Sequence, residues 1–245
     1  MQLNKYIEHT NLNNKATLKD IESLCNEAIT YDFAAVVVYP YYVRLAKELL
    51  KDTNIEVCTV VGFPSGESTR EVKVYEAIDA IDKGADMIDM VMNISALKNK
   101  DYEYVKDEIE EIRDAIDGKV LKVIIETNLL TDKEIIKATE ICNECFVNYI
   151  KTCTGFTGGV ELDSVDIINK HKNDLVEIKA SGGIKSKEDM IKLIEAGASR
   201  IGTSHGVEII EEKNIWIGIK FKCFIFYIKA LINKCSFGVL LFQKG

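Results

Sequence analysis

Two lysines stand where apolar residues are expected. Lys151 interrupts "YIKTCTG" (149–155) and Lys179 interrupts "LVEIKAS" (175–181), runs that otherwise read as strands ending at small residues and glycine. Lysine is among the side chains least often fully buried, so a lysine inside a strand calls for a reason. If the two strands are neighbours, the ammonium groups share one site, because parallel strands lie about 4.8 Å apart. Like charge and desolvation both depress a lysine pKa, by up to ~3–5 units at full burial. The product is a neutral amine near pH 7, which attack on a carbonyl to form a Schiff base requires. The alternative is that each stem is buried while its ammonium snorkels to the surface as a structural or anion contact. Two lysines at matched strand ends favour the first reading.

Asp89 lies in "MIDMVMN" (87–93), a run otherwise almost wholly apolar. An unpaired carboxylate there would be costly, so it needs a cationic or hydrogen-bonding partner. An ion pair with either lysine is one reading; a proton shuttle beside a carbinolamine and imine is the other, and the same geometry serves both. Three glycine-containing stretches, "TGFTGG" (154–159), "SGGI" (181–184) and "GTSHG" (202–206), follow successive apolar runs. Glycines let backbone N–H groups converge on an anion, so three such loops side by side point to a phosphorylated substrate.

The elements that would position these residues repeat along the chain. Eight apolar runs alternate with amphipathic stretches: residues 6–10, 34–40, 56–63, 87–93, 121–127, 147–153, 175–181 and 199–204. They are rich in Val and Ile without strict alternation, as suits parallel strands covered on both faces. Equivalent points recur every 24 to 36 residues, about one βα unit. Eight units predict an α/β fold, a closed (β/α)8 TIM barrel. The doubly wound alternative usually carries a glycine-rich dinucleotide turn after its first strand, and none is found here. In a barrel, chemistry is assembled at the C-terminal strand ends. The candidates are then Glu8, His9, Thr10, Tyr39, Asp89, Asn93, Glu126, Lys151, Lys179, Ser181 and Ser204.

Composition narrows the function classes. The 245-residue chain is 47% hydrophobic and 29% charged, with a formal net charge of -8, which argues against a nucleic-acid partner. Residues 213–245 hold six lysines and no acid, so the first 212 residues carry a balance of -14. The chain is expected to divide into a barrel over 1–212 and a basic, apolar tail over 213–245. In that tail lysines interrupt every apolar run, which predicts no membrane span. Seven irregularly spaced cysteines and an N-terminus without a signal-peptide pattern predict a cytoplasmic protein. "CNEC" (142–145) has a CxxC form, but with no second ligand pair at metal spacing it reads as helix packing. His171 reads as solvated, and His9 as a satisfied barrel residue.

At "YIKTCTGFTGG", "IKASGGI", "GADMIDMVMNISALK", "VCTVVGFPSG", "KVIIETNLLT" and "RIGTS" the chain resembles the deoxyribose-phosphate aldolases, in order and nearly without gaps from residue 6 to 210. The resemblance implies a class I aldolase that reversibly cleaves 2-deoxy-D-ribose 5-phosphate to acetaldehyde and D-glyceraldehyde 3-phosphate, in deoxyribonucleoside catabolism. It implies Lys151 as the Schiff-base lysine, Lys179 as the group that lowers its pKa, and Asp89 in proton transfer. Gly182, Gly183 and Ser204, with Gly155 close by, match the phosphate loops, and Thr10 and Glu8 join the expected substrate-binding set. Neither metal nor organic cofactor is expected, since the imine is the electron sink. The expected partners are small sugar phosphates and aldehydes, with a homodimer as the candidate assembly.

Five positions depart from the family pattern. Glu8 replaces an aspartate, Val37 a cysteine and Tyr39 an asparagine, the last of which would narrow the mouth. His205 stands for a small residue beside the phosphate loops. Phe146 occupies the place of a helix-ending glycine. These changes keep two other readings in play: a non-catalytic sugar-phosphate binder, and a lysine-dependent lyase for another aldehyde or keto acid.

Overall fold

The computed structural model describes residues 2–212; the expected tail over 213–245 lies outside the described residues. Strands β1 (Ile7–Asn11), β2 (Ala35–Val38), β3 (Glu56–Val61), β4 (Met87–Val91), β5 (Val120–Ile124), β6 (Tyr149–Lys151), β7 (Glu177–Ser181) and β8 (Arg200–Thr203) form one parallel sheet in chain order. It closes on itself where β8 meets β1, Ile7 opposite Ile201. Helices α1 (Leu18–Tyr31), α2 (Val43–Leu50), α3 (Arg70–Asp82), α4 (Ile94–Lys98), α5 (Tyr102–Ala115), α6 (Asp132–Glu144), α7 (Leu162–His171), α8 (Lys187–Glu195) and α9 (Gly206–Glu211) fill the connections. All eight apolar runs become strands, each shorter than its run except β1, which equals its run in length and sits one residue later.

Successive strand residues face opposite sides of a sheet, and both sides here are covered. Val36 and Val38 belong to the large core between strands and helices. Ala35 and Val37, alternating with them along β2, join Cys58, Val60 and Met87 in a second cluster inside the barrel. Full burial of such side chains stabilises by about 1.5–3 kcal/mol each, which explains runs with no polar alternation. Helix starts follow their sequence signals. Thr17 and Asp20 form a capping box on α1, Thr131 and Glu134 another on α6, and Ser186 Oγ accepts from the Asp189 backbone N–H (3.1 Å) at α8. At the end of α6, Phe146 takes the left-handed conformation (φ 52°) that glycine adopts without strain, its ring 65% exposed.

The layer between sheet and helices also holds a charged pair that the sequence reading did not anticipate. Lys73 of α3 and Glu108 of α5 are fully buried, 2.7 Å apart. Lys73 also donates to the Val91 carbonyl (2.8 Å), and Glu108 accepts from the Asn93 backbone N–H (3.2 Å). Each side chain of this pair thus also finds a backbone partner on β4 or just beyond it. Among the described residues no helix is long and apolar enough to cross a membrane.

Candidate active site

Inside the barrel five ionisable side chains converge from five strands. The register sets Lys151 of β6 opposite Lys179 of β7, and Asp89 of β4 opposite Lys122 of β5. Asp89 Oδ2 accepts from Lys151 Nζ (2.8 Å) and Lys179 Nζ (2.6 Å), while Lys122 Nζ lies 3.2 Å from Oδ1. Glu8 of β1 closes the cluster, accepting from Lys179 Nζ and lying 3.4 Å from Lys122 Nζ. Lys122 was not among the candidates read from the sequence. Its signal was present, a lysine in "LKVIIET" at the register of Asp89, but it lies two residues earlier in its strand than a barrel mouth suggests.

Two carboxylates therefore face three amines. With Lys122 and Lys179 protonated the charges balance, so a third ammonium would be in surplus within a buried cluster. Lys151 is the group with the fewest anionic partners: it contacts Asp89 alone, whereas Lys122 and Lys179 each contact both carboxylates. Burial lowers the Lys151 pKa, Asp89 opposes that, and the Lys179 charge lowers it again; the net direction is down. Burial also pulls on Lys179, but Asp89 and Glu8 outweigh it and raise its pKa. Lys122 is held well above the ordinary lysine range in the same way, against its own burial. Burial opposes ionisation of Asp89, yet the three lysines keep it well below the usual carboxylate range.

Access separates the lysines as well. A cavity of about 740 Å³ opens at the C-terminal strand ends, and of the three only Lys151 is on its wall. Thr10, Gly155, Gly182, Gly183 and Ser204 line the same cavity, with His205 and Lys185 beside them. Gly182 needs to be glycine: its φ is 108°, and a Cβ there would lie 3.1 Å from the Gly158 carbonyl oxygen. The loops after β6 and β7 are locked together by Ser181 Oγ donating to the Cys153 carbonyl (2.6 Å) and Thr152 Oγ1 donating to the Ser181 carbonyl (3.0 Å). Glycine backbones and a lysine around one end of a cavity suit an anion.

Other expected residues lie elsewhere. Glu8, expected to bind substrate, is fully buried in the charge cluster and is not on the cavity wall, because its carboxylate is held by the Lys179 and Lys122 ammonium groups. Asn93 caps α4, accepting from the Ala96 N–H (2.8 Å). Tyr39, expected to narrow the mouth, does not line the cavity. Its hydroxyl donates to Asn14 Oδ1 (3.0 Å) and its ring meets Phe63 edge-on at 6.1 Å. His9 does line the cavity and holds Glu27 through Nε2 (2.7 Å), but its buried Nδ1 has no hydrogen-bond partner. His205 Nδ1 lies 3.1 Å from Ser204 Oγ, and His171 is exposed on α7. Cys142 and Cys145 are buried thiols whose pKa values burial pushes up, as helix packing requires. Glu8, Cys58 and Asp89 bring three metal-type donors together, but Lys122 Nζ already lies against all three.

A family model described as DeoC/LacD family aldolase matches residues 3–216. The chain belongs to this family. The deoxyribose-phosphate aldolase of Finegoldia magna is 51% identical over 212 residues, covering 86% of this chain and all of that one. The solved deoxyribose phosphate aldolase from Aeropyrum pernix, described as tetrameric, superposes with a TM-score of 0.80 at 33% identity, over 85% of this chain and 89% of its own. A solved aldolase designated QR15 gives 0.83 at 42% identity, over 86% and 95%.

Proposed function

We propose that this DeoC/LacD-family aldolase reversibly cleaves 2-deoxy-D-ribose 5-phosphate to acetaldehyde and D-glyceraldehyde 3-phosphate, with Lys151 as the nucleophile. One observation carries the assignment: of three lysines in the charge cluster, Lys151 alone reaches the cavity and alone has a lowered pKa. Its neutral amine adds to the C1 aldehyde of the open-chain sugar, and loss of water gives the protonated imine. Transfer of the C3 hydroxyl proton through a water to the Asp89 carboxylate breaks the C2–C3 bond. Its electron pair moves into the imine to give an enamine, and the triose phosphate leaves. Protonation at C2 and hydrolysis of the imine then release acetaldehyde and restore the amine.

The cluster supplies the proton traffic. Asp89, held as an anion by three amines, has no proton of its own to give; Lys179, kept protonated by Asp89 and Glu8, is the proposed proton source, joined to Lys151 through their shared Asp89 Oδ2. Gly155, Gly182, Gly183 and Ser204, with Thr10 on the facing strand, are the proposed binding surface for the phosphate and sugar hydroxyls. The proposed working unit is the barrel over residues 1–212, and its proposed role is deoxyribonucleoside breakdown in the cytoplasm. The five described cysteines, all free thiols, support a reducing setting. A homodimer is proposed because α3 turns Val72 (51%) and Tyr75 (72%) to solvent. A monomer at micromolar concentration in sedimentation would overturn it.

Borohydride trapping tests the chemistry. Acetaldehyde and reductant should leave a covalent adduct on Lys151 at neutral pH, absent in Lys151→Ala; a wild-type protein that forms no adduct would sink the imine mechanism.

A further inference from the structure

The turn after β5 grips the glycine loop after β6, and Glu126 is its centre. The Ile125 N–H donates to the Lys151 carbonyl and the Thr127 N–H to the Thr152 carbonyl, each at 3.0 Å. Donors two residues apart just past β5 thus meet adjacent carbonyls at the end of β6, which makes Glu126 an extra residue, as in a bulge. A bulge bends its strand and re-aims the side chain it carries. Glu126 takes the left-handed conformation (φ 52°), which a residue with a Cβ adopts where its surroundings over-determine it.

Those surroundings are the loop at residues 154–159. Glu126 is 2% exposed, and its carboxylate is met by hydrogen-bond donors rather than by ammonium groups. The Thr154 backbone N–H donates to both oxygens (3.2 Å each), Thr157 Oγ1 donates to Oε1 (2.8 Å), and Thr154 Oγ1 donates to Oε2. Between these anchors lie Gly155, on the cavity wall, and Phe156, whose ring meets Phe63 edge-on at 5.4 Å. One residue further along, Asn128 lies so close beneath Gly158 that a Cβ there would sit 2.9 Å from its Nδ2.

We propose that Glu126 is a positioning residue for the phosphate end of the substrate. It acts through Thr154 and Thr157, holding the loop that presents Gly155 in one conformation before substrate arrives. An anionic acceptor suits the task because charge-assisted hydrogen bonds are shorter and stronger than neutral ones. A pre-ordered loop also spares binding the entropy of ordering it. This assignment rests on the phosphate-binding reading above.

Glu126→Gln retains the shape but loses the charge and turns an amide donor either toward the Thr154 backbone N–H or toward a threonine hydroxyl that must reverse to accept it. The ratio of kcat/KM for 2-deoxyribose 5-phosphate to that for unphosphorylated 2-deoxyribose should fall about tenfold, mainly through KM. Borohydride trapping of acetaldehyde at Lys151 should persist. Thr157→Val, which removes one exposed anchor, should move the ratio the same way by less, and it serves if the first variant does not fold. An unchanged ratio in the folded variants overturns the positioning role alone. Equal loss on both sugars together with loss of trapping also overturns it, because Glu126 would then act on the nucleophile. A wild-type enzyme that shows no preference for the phosphorylated sugar overturns the phosphate reading and this role together.

Discussion

The barrel interior and the layer outside it bury ionic groups in opposite ways. Outside, Lys73 and Glu108 are matched one to one, and backbone groups at Val91 and Asn93 complete them. Burial pulls each toward its neutral form, lowering Lys73 and raising Glu108, and neither faces the cavity. Inside, two carboxylates serve three amines, and the amine left over is the one at the cavity wall. A matched pair stores no reactivity, since each proton is already where the charges want it. A surplus makes one group easy to deprotonate, and the structure decides which by counting carboxylate contacts. Tests of this contrast change the count.

The largest effect is expected from Lys179→Leu. It removes the positive charge that lowers the Lys151 pKa, leaves Asp89 Oδ2 to Lys151 alone and takes away the proposed proton donor. Two carboxylates would then face two amines, so Lys151 is drawn to its protonated form and its pKa rises. Attack needs the neutral amine, so activity rises with pH through that pKa, and the acid limb of the kcat/KM profile moves to higher pH. Turnover at neutral pH should fall by roughly 10²–10⁴-fold, the range for a lost general acid or base. An unmoved acid limb would show that the two lysines are not coupled.

Lys122→Met is the sharper test, because Lys122 touches neither cavity nor Lys151 in the contacts described. It changes the charge count and leaves the proposed proton donor in place. The acid limb should again move up; each unit of movement is a tenfold loss of neutral amine below it. Turnover on the alkaline side should survive. If instead activity falls equally at all pH values, Lys122 acts through packing rather than charge.

How far the sequence reached follows the same division. The barrel was legible because eight covered strands impose continuous apolar runs, and capping signals such as Ser186–Asp189 mark where helices begin. Lys151, Lys179 and Asp89 stood out as charges inside those runs and converge as expected. Glu8 was legible as a carboxylate but not as a buried one, since its partner is 171 residues away. Lys122 and Lys73 were missed for a shared reason. In sequence, Lys122 opens a strand and Lys73 sits on an ordinary charged helix, and only tertiary register turns them inward. Glu126 was on the candidate list for its place at a strand end, but the bulge that aims it at Thr154 depends on which carbonyls the next strand offers.

The smallest effect on catalysis is expected where burial is just as complete. Lys73→Met strands Glu108 without its cation in an apolar layer, which should cost about 3–5 kcal/mol in denaturant unfolding. The double variant Lys73→Met/Glu108→Leu removes both charges and should regain much of that loss. It does not regain all of it, because the Val91 carbonyl and Asn93 N–H lose their partners, a penalty of about 1–3 kcal/mol for each group left unsatisfied. In the double variant the acid limb should stay where it is in the wild type, since the charge count inside the barrel is untouched. A shift of that limb would mean that the outer pair sets the field at Lys151, and the two regions would then have to be counted as one electrostatic unit.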